Sequence, residues 1–135
     1  MIHPICTDME LLKTPSRPAV KKDIHLARDL TDTLMAHPEC VGMAADMIGH
    51  NVCLLAAKVH DAPLVMFNPV IKAARNPYDT QEGCLCHMGT RPARHYETIE
   101  VDYRDRHWKK QTARFSGLTA QIIQHEMDHM KGILI

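Results

Sequence analysis

Aromatic side chains are scarce in these 135 residues: one Trp, three Tyr and two Phe, 4% of the chain. A core built on stacked rings is thereby excluded, and aliphatic residues with nine Met must do the filling. Net charge is missing too, because Lys plus Arg and Asp plus Glu both number 16. That balance gives no electrostatic basis for binding nucleic acid or an anionic membrane, and little self-repulsion to oppose association. No stretch approaches the roughly 20 apolar residues that span a bilayer. The opening Met1-Ile-His-Pro-Ile-Cys6 lacks the charged-then-apolar pattern of a secretion signal. A cytoplasmic protein is expected. Five cysteines, at 6, 40, 53, 84 and 86, are an odd number, which suits reduced thiols better than a disulfide framework.

The length suits one domain spanning residues 1–135, and 45% hydrophobic content is enough for a core. Residues 1 to 22 read as an extended lead-in punctuated by Pro4, Pro15 and Pro18. From Asp23 to His37, Ile24, Ala27, Leu30 and Leu34 recur at helical spacing, and Pro38 supplies a stop. A small-residue loop, Gly42 to Gly49, is followed by two runs rich in strand formers, Val52–Val59 and Leu64–Ile71. The polar region 76–95, broken by Pro77, Gly83, Gly89 and Pro92, reads as irregular. Thr98–Tyr103 alternates as a half-buried strand, with Asp105-Arg-His as turn and Trp108–Phe115 as partner. Ser116 is placed to cap a helix from Gly117 to Lys131, closed by Gly132. The expected class is α+β: small antiparallel or mixed sheets packed around a C-terminal helix.

That helix carries the strongest chemical signal, His125-Glu126-x-x-His129. Residues four apart lie one above the other on a helix, so two imidazoles can address one metal ion. Glu126 stands beside them, where a carboxylate can take a proton from an activated water. Leu118 and Ile122 continue the same face, which predicts that it is buried. A catalytic site of this kind needs a third protein ligand. The obvious donor lies in Gln81-Glu-Gly-Cys-Leu-Cys86, where Cys84 and Cys86 face opposite ways if the segment is extended, so one of them reaches the metal.

Three stretches together resemble the peptide deformylase family: Cys40-Val-Gly-Met-Ala-Ala-Asp-Met47, Glu82-Gly-Cys-Leu-Cys86 and Gln124-His-Glu-Met-Asp-His129. Their order agrees with the family's Gly-x-Gly-φ-Ala-Ala-x-Gln, Glu-Gly-Cys-φ-Ser and Gln-His-Glu-x-Asp-His. The resemblance implies removal of the N-formyl group from the N-terminal methionine of nascent polypeptides, a step of protein biosynthesis. It makes Cys84, His125 and His129 the metal ligands and Glu126 the general base and acid, with the Leu85 backbone amide facing the developing oxyanion. One divalent ion per chain is implied, natively Fe(2+), with Zn(2+), Ni(2+) or Co(2+) as possible occupants. Glu82 takes the place of a carboxylate supporting the ligands. Gly42, Met47, Arg91 and Ile122 take substrate-side places, Ile122 in a pocket for the methionine side chain. The implied partners are N-formyl-methionyl peptides. Ribosome contact draws no support from a chain that stops three residues after Gly132.

Four departures accompany the match. Met47 replaces a glutamine whose amide donates to the formyl oxygen, and a thioether donates nothing. Losing one such donor costs roughly 10²–10³ in rate. Asp46, as a carboxylate, would repel an oxyanion. Cys40 stands for glycine, Cys86 for serine, and the C-terminus is short. These motivate two alternatives: a metal-binding paralogue with weak or no deformylation, or an amidase for another N-acyl group. A redox module using Cys84 and Cys86 is a third, minor reading.

Overall fold

The computed structural model describes residues 1–84 and 87–133, with the side chains of 84, 87–89 and 91 outside the description. One antiparallel sheet runs β1 (Gly42–Ala44), β2 (Leu54–Val59), β3 (Ala62–Cys84), β4 (His87–Arg104), β5 (Lys110–Ser116), in sequence order throughout. Among the described residues three α-helices accompany it: α1 (Met9–Lys13), α2 (His25–Met35) and α3 (Gly117–Met130). Short 3-10 turns occupy Lys21–Ile24 and Ala45–Ile48. The α+β expectation holds.

Period-two alternation divides the core between the two faces of the sheet. Leu54, Ala56, Val65 and Phe67 pack with Leu30 and Leu34 of α2 on one face. Leu55, Ala57 and Met66 join Ile99 and Val101 of β4 and Ile123 of α3 on the other. The first four residues of β2, Leu54 to Ala57, therefore form an unbroken apolar run, because both faces of the strand are covered there. The sheet separates the two main helices, and α3 lies along the end where β1, β3 and β4 deliver the site.

Several elements differ from the sequence expectation. The supposedly irregular region 76–95 is the middle of a long hairpin, with Pro77 opposite Tyr96, Gln81 opposite Pro92 and Gly83 opposite Thr90. Register shifts between Phe67 and Val70 and between Ile71 and Ala73 absorb extra residues as bulges, and Asn68 and Asn76 take positive φ of 50° and 60°. Asn68 is held there by its side chain, which accepts from Ala19 N–H at 2.7 Å and donates to Ala19 O at 2.9 Å. The N-terminal lead-in contains α1, because Asp8 accepts from Glu10 and Leu11 N–H at 3.1 and 3.4 Å and Leu12 is fully buried. Trp108 belongs to the turn and not to β5: its φ is 65°, and its ring sits 5.4 Å from Phe67 and 5.1 Å from the Arg104 guanidinium. Ser116 has the extended backbone of an N-cap, but its side chain makes no capping hydrogen bond.

Candidate active site

α3 is fastened to the sheet before any chemistry is considered. Gln124 Oε1 accepts from Tyr96 N–H at 2.7 Å, and its Nε2 donates to Tyr96 O at 2.8 Å and to Ala120 O at 2.9 Å. One buried amide thus meets both backbone groups of a β4 residue. With Ile123 in the core, the 3.6-residue period turns His125, Glu126 and His129 toward one place. Their donor atoms lie within 4.8 Å of one another, and the two imidazole centroids are 5.2 Å apart. Glu126 and His129 are buried, His129 completely.

Behind this group lies a chain of alternating carboxylates and imidazoles. His125 Nδ1 donates to Glu82 Oε1 at 2.7 Å. Glu82 Oε2 accepts from His95 Nδ1 at 3.0 Å and from Gln121 Nε2 at 2.9 Å. His95 Nε2 in turn donates to Asp128 Oδ2 at 2.9 Å. The path leaves α3 at His125, crosses β3 and β4, and returns to α3 at Asp128. Burial favours the neutral acid of Glu82, but hydrogen bonds from His125, His95 and Gln121 outweigh it and lower its pKa to about 2. Burial likewise opposes a charged His95, yet the hydrogen bonds to Asp128 and Glu82 raise it to about 9.

A cavity of about 460 Å³ opens beside the group, its walls including Gly42, Met47, Glu82, Ile122, His125 and Glu126. The structure therefore brings together six of the sequence-derived site residues here. Met47 faces this cavity, and its Sδ accepts from Ala44 N–H at 3.4 Å. Asp46, fully buried, is not among the lining residues, so the loop turns the thioether inward and not the carboxylate. Leu118 corrects the expectation of a wholly buried helix face: it is 66% exposed, because the first turn of α3 reaches the cavity mouth beyond the sheet. Leu85 and Cys86 lie outside the described residues, as do the side chains of Cys84 and Arg91; the Cys84 backbone ends β3.

Glycine at position 42 is required by space. A Cβ there would lie 2.5 Å from Ile122 Cγ2 and 3.0 Å from Glu126 Oε2. Gly42→Ala is expected to lower unfolding stability by about 1–3 kcal/mol through overpacking. Urea denaturation checks this, and an unchanged midpoint would mean that α3 moves aside without cost.

The donor set fits a divalent ion. Donation from His125 Nδ1 to Glu82 fixes the tautomer in which Nε2 carries the lone pair, the form in which an imidazole binds metal. His95 and Gln124 escaped the sequence reading of site residues. Neither motif nor period marks a buried histidine on a strand, but the Asp at the fourth position of His125-Glu-Met-Asp128 asks for a cation, and that signal could have prompted a search.

Comparison with known proteins agrees with this geometry. A family model described as polypeptide deformylase matches residues 2–135. A peptide deformylase of Clostridium beijerinckii is 48% identical over 136 residues, covering 100% of both chains. The crystal structure of a peptide deformylase from Legionella pneumophila superposes with a TM-score of 0.88 at 28% identity, covering 99% of this chain and 83% of that one. A Met-Ala-Ser-bound peptide deformylase from Acinetobacter baumannii gives 0.86 at 25% identity, covering 99% and 97%.

Proposed function

Since the chain belongs to the polypeptide deformylase family, we propose that it hydrolyses the formyl group from N-formyl-methionyl peptides, with Cys84, His125 and His129 holding one divalent ion and Glu126 moving the proton. The observation that carries this reading is the Glu82–His125 contact of 2.7 Å, which orients an imidazole beside the buried Glu126 at the cavity wall. The bound ion supplies Lewis acidity, polarising the formyl oxygen and easing loss of a proton from water. Ferrous iron is the proposed native occupant.

The residues divide the remaining work. Gly42 lets the peptide backbone approach closely, and Ile122 with its apolar neighbours receives the methionine side chain. The Leu85 backbone amide donates to the oxygen on which charge develops, and Arg91 takes a place along the peptide. Glu126 accepts a proton from the attacking water and delivers it to the nitrogen of the breaking C–N bond. Formate and a free N-terminal amine result. Glu126 Oε2 lies 3.0 Å from the point a Gly42 Cβ would occupy, so the bare glycine leaves the room the carboxylate needs.

The test is formate release from formyl-Met-Ala-Ser by protein loaded anaerobically with ferrous iron. Release is expected to vanish on chelation and return when the metal is restored. No release with one metal bound per chain would overturn the reading and favour a binding paralogue or an amidase for another acyl group.

A further inference from the structure

We infer that His95 is a positioning residue for the metal centre: by donating from both ring nitrogens to Glu82 and Asp128, it locks the carboxylate that orients His125. The inference rests on the proposed metal site and names a residue outside its ligand set. Glu82 must offer Oε1 to His125 in one direction only. Alone, a carboxylate on a strand can rotate about its terminal bond. Its second oxygen is pinned by His95 at 3.0 Å and Gln121 at 2.9 Å, which removes that freedom. His95 is itself held at its far side by Asp128 at 2.9 Å, and it is only 2% exposed.

The anchoring is reciprocal. Asp128 precedes His129 and follows His125 by three positions on α3, so one imidazole ties the helix that carries both histidine ligands to the strand hairpin carrying Glu82. Gln124 grips the neighbouring Tyr96 backbone, which fixes the position of His95 along β4. Both acceptors are carboxylates, so both ring nitrogens carry protons. A neutral amide in this place donates from one end only and brings no positive charge to the two carboxylates. Arginine can serve both, because its planar fork presents several donors and stays charged.

The test is zinc affinity, measured by competition with a chromophoric chelator, for the wild type, His95→Gln, His95→Arg and His125→Ala. Circular dichroism verifies that each variant is folded. His95→Gln is expected to weaken zinc binding by about 10–100-fold, the usual cost of losing support behind a ligand, with KM for the peptide unchanged at saturating metal. His95→Arg is expected to bind zinc more tightly than His95→Gln. If His95→Gln binds as tightly as the wild type while His125→Ala does not, the inference is overturned and the metal site stands. Equal weakening by Gln and Arg would overturn the charged clamp. Undiminished binding by His125→Ala would remove the metal site, and this inference with it.

Discussion

Glu126→Gln is expected to lower kcat for formate release by about 10²–10⁴-fold, the range supplied by a positioned acid–base group. Glutamine keeps the volume of the side chain, which matters because Glu126 is buried against Gly42 and Ile122 and an alanine would open a cavity there. The amide cannot accept the proton that the reaction must move. Steady-state kinetics with metal content measured in parallel separates loss of chemistry from loss of metal. A variant that keeps its metal and turns over at the wild-type rate would remove Glu126 from the mechanism.

Met47→Gln is expected to act in the opposite direction, raising kcat by up to about 10²-fold. The thioether now occupies the cavity wall as an acceptor, taking the Ala44 N–H at 3.4 Å. A glutamine can keep that contact through its carbonyl oxygen and aim its N–H at the formyl oxygen. The same formate assay measures the gain, and KM should move little, because the new hydrogen bond strengthens as charge develops. An unchanged rate would mean that the Leu85 amide and the metal already meet the oxyanion's needs. A rise specific to formyl over acetyl peptides would exclude the reading as an amidase for another acyl group.

Legibility in the sequence followed the range of the forces involved. The helix of His125 and His129 was readable because ligand spacing and helical period coincide within one turn. Thr98–Tyr103 was readable because its two faces differ in polarity. The long hairpin was not: Pro77, Gly83 and Pro92 punctuate it, and its pairing is made by backbone groups as far apart in the chain as Phe67 and Arg104. α1 was missed because its stability comes from the Asp8 cap and from burying Leu12, not from periodicity in five residues. The site shows the same division. Glu82 came from a motif, whereas its bond to His95 joins β3 to β4 and exists only once the hairpin is registered.

The sheet's two margins have a consequence for solubility. With a formal charge of zero, the chain has no global repulsion to keep copies apart. An unpaired strand margin invites another chain to add to it, so any protection must be local. β1 offers only three residues, all buried. β5 is longer, but Lys110 and Arg114 are exposed along it, with Lys109 just ahead. Two molecules meeting there would bring like charges together before their backbones could pair. The cations exposed on the last strand thereby oppose edge-to-edge pairing that the balanced charge of the whole chain would not.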